Sequence, residues 1–169
     1  MIDDFEILNP SEINDNVLKL IGQDWMLITA GSMDSFNTMT ASWGGMGFLW
    51  NKKVCFCVVR PTRYTYNFME KSDYFTLSFF TEKYRSVLNF CGTHSGKEVN
   101  KIEKTGLIPI EGSKGVVFFD QARLVIEARK IYFQDINPEN FLDDSIDDNY
   151  PEKDYHRMYV GEIIRVLVK

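Results

Sequence analysis

Three short runs carry residue types suited to holding a ligand. The run "NTMTASWGGMGFLW", residues 37–50, combines small hydroxyls, two methionines, two tryptophans and a Gly-Gly pair without a single charge. Hydroxyls and bare amides there would read the donor and acceptor edge of a planar heteroaromatic ring, and Trp43 or Trp50 would offer it a flat face. The plainer alternative is that the tryptophans are core and the glycines a hairpin turn. In the second run, "RPTRYT" at 60–65, Arg60, Arg63 and Thr65 would surround the start of a helix capped by Thr62. Free N–H groups and partial positive charge at such a start favour an anion, phosphate above all. A solvated arginine pair beside a cap is the competing account. The third run, "HSGKEVNK" at 94–101, offers Ser95, Gly96, Lys97 and Lys101 to a phosphate or ring carbonyl. It lacks the first glycine and the spacing of a Walker loop, so a bare loop remains open.

Other arrangements are set aside. Cys55-x-Cys57 with Cys91 and His94 has the wrong spacing for zinc, and its first pair lies in an apolar strand. No metal is therefore expected. Cys91 and His94 as nucleophile and base lack an orienting third group. "DDSIDDN" has neither the glycine nor the terminal glutamate of a calcium loop. There is no glycine-rich dinucleotide turn after a strand, and no basic, aromatic-interleaved surface for nucleic acid.

The elements that would position these runs can be read from periodicity. A helix is expected from Ser11 to about Leu20, a strand closing on Gly31, and its hairpin partner over 35–42. "KKVCFCVVR", 52–60, is apolar on both sides and reads as an interior strand ended by Pro61. A helix follows with Tyr64, Phe68 and Met69 on one face, then the strand "DYFTLSFF", then a helix from Glu82 to about Phe90 and the loop "CGTHSGKEVN". "ARLVIEARKIY" places Leu124, Ile126 and Ala128 on one side and Arg123, Glu127 and Arg129 on the other, a half-exposed strand. "MYVGEIIRVLVK" makes another strand. Strands outnumber helices without βαβ alternation, which favours a mainly β, antiparallel barrel with appended helices.

Composition bounds the rest. A chain of 169 residues, 44% hydrophobic and 25% charged, is expected to be one globular domain, 1–169. No apolar run approaches the ~18 to 20 residues of a membrane span. The acidic start "MIDDFEI" is unlike a secretory leader, and an odd count of three cysteines suits a reducing compartment; a cytoplasmic protein is expected. The net charge of −5 is uneven: residues 135–154 hold eight acids and one base, −7, leaving +2 elsewhere. This acidic 135–155 segment, with Asn137-Pro138 and Tyr150-Pro151, reads as a lid or a solvated loop.

Taken in order, "NTMTASWGG", "RPTRYT", "SGKEVNK" followed by "TGL", and "DYHRMYVGEI" resemble the flavin reductase family, including its flavoredoxin-like proteins, from about residue 20 onward. The resemblance implies an FMN-binding split β-barrel, Greek-key-like, that holds FMN at a homodimer interface. It implies that Asn37, Thr38, Met39, Thr40 and Ala41 line the isoalloxazine edge with Trp43 close by. Arg60, Arg63 and Thr65 would hold the ribityl phosphate, and Ser95, Gly96 and Lys101 would close over it, with Lys97 where the family more often has arginine. His156 would sit near the flavin and the entrance of the reductant, orienting a nicotinamide or buffering a proton. NADH or NADPH is the implied hydride donor to FMN. Neither nucleic acid nor membrane is an expected partner. A protein electron donor, as in flavoredoxin-like electron transfer, and a non-catalytic flavin-binding dimer stay as alternatives. The acidic segment before His156 departs from the family pattern.

Overall fold

The structure is a computed structural model and describes residues 2–169. Its first hairpin pairs β2 (Met26–Ser32) with β3 (Ser35–Ala41) in the register Ile28↔Met39, Thr29↔Thr38, Ala30↔Asn37. Gly31 lies at φ +107, and a Cβ there would fall 2.3 Å from the Ser35 carbonyl, so no side chain fits before this turn. Within the hairpin the Thr29 hydroxyl donates to Thr38 Oγ1 (2.9 Å), and Thr38 Oγ1 donates to the Ile28 carbonyl (3.2 Å). These buried bonds hold residues 37–41 in one register.

The remaining strands are β1 (Glu6–Leu8), β4 (Gly44–Leu49), β5 (Lys52–Val59), β6 (Tyr74–Phe79), β9 (Leu124–Asp135) and β10 (Arg157–Val168), with a separate pair, β7 (Pro109–Glu111) and β8 (Val117–Phe119). The main sheet runs β3-β2-β6-β9-β10-β5-β4, every pairing antiparallel, with β1 added to the far end of β10. The expected mainly β antiparallel fold is present; the hydrogen-bond ladder does not close between β3 and β4. Alternation along β2 explains its two-sided burial. Met26, Ile28 and Ala30 enter one core with Cys55, Cys57, Phe75 and Tyr159, while Leu27 enters a second with Leu88, Phe118, Phe119 and Val125. Both cysteines of β5 face that first interior, and burial pushes Cys55 up to about 12 and Cys57 well above the usual thiol range.

Among the described residues, four α-helices decorate the sheet: α1 (Val17–Lys19), α2 (Tyr64–Lys71), α3 (Arg85–Thr93) and α4 (Lys101–Thr105). The helix expected over 11–20 is broken into a turn at Pro10–Glu12, α1, and a wider turn at Leu20–Asp24. Asn9 and Asn16 each cap a piece with their side chains, which stops one helix from running through. Thr62 does not cap α2: Arg63 is the N-cap residue, makes no side-chain cap bond, and the Thr62 hydroxyl donates instead to Asp154 Oδ2 (3.2 Å). The 94–101 loop ends in α4, begun by Asn100, whose side chain accepts from Ile102 and Glu103. Glu127, expected to be exposed, is fully buried, because the 112–116 segment folds over β9 and Ser113 donates its N–H to Glu127 Oε1 (3.1 Å). The Gly-Gly pair lies within β4 rather than at a turn; Trp50 (φ 51) and Asn51 (φ 57) make the turn into β5.

Candidate functional site

Sequence-distant residues meet at two adjoining cavities. The first, about 270 Å³, is lined by Met39, Thr40, Ala41 and Ser42 from β3 and its exit, Trp43, Val58, Arg60, Arg63, Gly92 and His156. The second, about 190 Å³, is lined by Asn37, Met39, the start of α2 at Thr62–Thr65, and the turn after α3 with Thr93, His94, Ser95 and Gly96, plus Glu98 and Lys101. They share Met39 and Arg63, so they form one cleft with two ends. A larger cavity, about 760 Å³, touches the second end only at Tyr64 and lies against Phe68, Lys71 and Lys114, and none of the expected site residues lines it.

At the second end Asn37 Nδ2 donates to Thr65 Oγ1 (2.7 Å), tying β3 to the first turn of α2. Gly96 approaches so closely that a Cβ would lie 1.9 Å from Asn37 Oδ1. Bare backbone is required at that point. Helix α2 begins without a side-chain cap, so its leading amides are available to an outside acceptor. Arg63 is anchored by donation from Nη2 to the Gly92 carbonyl (2.7 Å); burial, aided by nearby Arg60, lowers its pKa from the ordinary arginine value. Lys101 is only 5% exposed and donates from Nζ to the carbonyls of Thr38 and Cys91, both at 2.8 Å. Burial brings it down to about 8, with Arg63 adding in the same direction and Cys91 opposing.

At the first end Trp43, 45% exposed, lies 5.1 Å ring to ring from His156, and Trp50 is 54% exposed, so neither tryptophan is core. Thr40 Oγ1 donates to the Leu88 carbonyl (2.5 Å), bringing α3 against β3. Burial, with a contribution from Arg60, pushes His156 down to about 4, so its imidazole is neutral near pH 7. His156 Nδ1 lies 2.8 Å from the Tyr150 hydroxyl.

The acidic segment is ordered against this end. Arg60 donates from Nη1 to Asp154 Oδ1 (2.8 Å) and from Nη2 to the Asn149 carbonyl (2.7 Å), and its guanidinium sits 5.0 Å over the Tyr150 ring. Burial, the largest single influence, opposes ionisation of Asp154, but its hydrogen bonds to Arg60, the backbone and Thr62, with the Arg60 charge, together outweigh that and hold it below the usual carboxylate range. Further along, Asp143 accepts from Ser145, and Asp147 accepts from Tyr155 (2.8 Å) and pairs with Lys153.

Of the residues expected from sequence, Asn37, Met39, Thr40, Ala41, Trp43, Arg60, Arg63, Thr65, Ser95, Gly96, Lys101 and His156 line the cleft. Thr38 lines instead a further cavity, about 610 Å³, that shares Asn37, Gly96 and Lys101 with the second end; its side chain is bonded to β2 and its carbonyl to Lys101. Arg60 stands with His156 at the first end, away from Thr65 and Ser95. Gly92, Val58, Tyr150 and Asp154 were not singled out. Gly92 carried the one available signal, a glycine inside a helix, which marks close packing. His94 stacks on Phe90 at 4.0 Å, and burial raises the Cys91 thiol to about 11, so this pair is not set up as nucleophile and base.

Several solved structures share the fold. The FMN-binding protein of Thermus thermophilus, solved with p-hydroxybenzaldehyde, is 20% identical with a TM-score of 0.67, over 86% of this chain and 71% of that one. The flavoredoxin of Desulfovibrio vulgaris (Miyazaki F) is 21% identical with a TM-score of 0.68, over 96% and 77%. The NADH:FAD oxidoreductase of Streptomyces globisporus is 14% identical with a TM-score of 0.65, over 86% and 75%. Comparison with curated proteins returned no match. Residues 18–169 match the family described as the flavin reductase like domain, and the chain belongs to that family.

Proposed function

We propose that the protein is an FMN-dependent oxidoreductase that takes hydride from NADH or NADPH. The observation that carries this reading is the two-ended cleft joined at Met39 and Arg63. One end is walled by a strand edge, Val58 and Trp43, which suits a flat ring read through backbone groups. The other has an uncapped helix start, a cationic side chain, a serine and the tight Gly96 approach, which suits a phosphate. The donor set therefore fits FMN: Asn37, Met39, Thr40 and Ala41 would lie along the ring, and Arg63, Thr65, Ser95 and Gly96 at the phosphate.

When bound, FMN would supply the redox chemistry as hydride acceptor. The chain's part is to bind, orient and tune. Arg60 is already satisfied by Asp154, so phosphate binding falls chiefly to Arg63 and the helix start. Lys101 spends two of its three donors on carbonyls and acts mainly by fixing β3 against α3. His156, neutral, offers hydrogen bonding rather than charge at the reductant side.

The test is an absorption spectrum of protein mixed with FMN and desalted, followed by anaerobic addition of each nucleotide. A retained flavin spectrum that bleaches with NADH or NADPH is expected. Retained flavin that neither nucleotide bleaches would overturn the reductase reading. One feature favours a second reading: Asp154 pairs with Arg60 at the first end, within a segment of net charge −7 over residues 135–154, which suits a basic-surfaced protein electron donor better than an anionic nucleotide.

A further inference from the structure

We infer that Tyr150, contributed by the 137–155 excursion, is a positioning residue that fixes His156 in the tautomer with the proton on Nε2, presented to the cleft as a hydrogen-bond donor. Its consequence for turnover rests on the function proposed above; the tautomer itself does not.

Tyr150 is 3% exposed, and its hydroxyl contacts His156 Nδ1 at 2.8 Å. Two arrangements satisfy that distance. If Nδ1 carried the proton and donated, the phenol would need another acceptor for its own hydrogen, and none is found among the described residues. A buried donor left without an acceptor costs about 1–3 kcal/mol. If the phenol donates, every proton at the contact is used, Nδ1 is the acceptor, and the neutral ring must carry its hydrogen on Nε2. The Arg60 guanidinium, 5.0 Å over the phenol ring, acts to lower the hydroxyl's pKa, while burial dominates and holds it above the ordinary tyrosine value, so the phenol stays protonated and able to donate.

Placement gives the tautomer its use. His156 lines the first cavity, and with Nδ1 turned to Tyr150 the ring nitrogen left for the cleft is Nε2. Tyr150 is itself immobilised by Phe141 (6.3 Å, stacked) and Tyr155 (4.9 Å), and the excursion is anchored through Asp154 to Arg60. A fixed Nε2–H at this spot selects a ligand with an acceptor facing it, a carbonyl or carboxamide oxygen. It disfavours one that presents a donor.

The test uses the full chain with 15N-labelled histidine. Long-range proton–nitrogen correlation near pH 7 reports which ring nitrogen is protonated, and a His94→Gln variant assigns the two histidines. Wild-type His156 is expected to be protonated on Nε2, and Tyr150→Phe, which keeps the ring and removes the hydroxyl, is expected to lose that single form. Protonation on Nδ1 in the wild type, or an unchanged tautomer in Tyr150→Phe, overturns the inference. In FMN-loaded protein, Tyr150→Phe is expected to slow reduction at saturating nucleotide by about 10-fold while FMN affinity stays within about twofold. An unchanged rate removes the positioning role. Should neither nucleotide reduce the wild type, the proposed function fails while the labelled-histidine result still decides the tautomer.

Discussion

Arg60 and Arg63 stand three positions apart and are put to different uses. Arg63 is held by the Gly92 carbonyl with its remaining donors facing the cleft, whereas Arg60 is bound by Asp154 and Asn149. Arg63→Ala is expected to weaken FMN about 10- to 100-fold, or ~1.4 to 2.8 kcal/mol, with the fold intact. Flavin fluorescence titration beside thermal melting checks both halves. Arg60→Ala should affect FMN less and reduction more. His156 makes a separate prediction about acid stability. Its folded pKa of about 4 lies below the unbound value of 6.5, so between these values the unfolded chain binds more protons. Stability present above pH 6.5 is therefore lost as pH falls toward 4, by up to about 1.4 kcal/mol per pH unit. His156→Gln, which cannot titrate, is expected to flatten that limb in urea midpoints measured from pH 7 to 4.

At the scale of elements, β9 carries one extra residue, Ile131, where its register with β10 shifts between Val160 and Gly161. A Cβ at Gly161 would lie 2.7 Å from Phe75 Cζ and 2.8 Å from Ala128 Cβ, both in the main core. Gly161→Ala is expected to cost about 1–3 kcal/mol in a denaturant titration, through overpacking. Local chemistry explains which elements were legible. The β2–β3 hairpin and β5 were readable because alternation, continuous apolar runs and Gly31 all pointed one way. Glu127 was misread because its burial depends on a segment 14 residues earlier, which no periodicity within β9 reveals. Thr62 had the right type and place for a cap, but Asp154, 92 residues away, claims its hydroxyl. For the same reason the role of the acidic excursion was not readable: its bonds to Arg60 and His156 are tertiary, while its composition resembles that of any solvated loop. The site residues came from four motifs in order, and most of them converge on the two adjoining cavities, while strand alternation turns the Thr38 side chain toward β2.

At the scale of the whole molecule, one face keeps aromatic groups in water. In register across the sheet, Phe56 of β5 and Tyr132 of β9 flank Val160 of β10, and all three are apolar or aromatic. Phe56 and Tyr132 are exposed, and Trp50 packs edge-on to Tyr132 at 5.6 Å. Trp50 also occupies a left-handed turn position that asparagine or glycine fills more comfortably. We take a large aromatic kept there against local preference as support for a contact surface. A homodimer follows as the proposed state, with a sedimenting mass about twice the 19.7 kDa chain. Trp50→Asn, which suits the turn, is expected to weaken self-association at least about tenfold without unfolding the chain; a wild type that sediments as a monomer at all concentrations would overturn this assembly. No helix among the described residues is long and apolar enough to cross a membrane. The central position of β10 has a further consequence for biosynthesis. It lies between β9 on one side and β5 and β1 on the other, yet it is translated after all three. Until the ribosome has delivered residues 157–168, the nascent sheet keeps an empty slot with hydrogen-bonding edges on both sides, which makes that interval the one in which chaperone capture matters most.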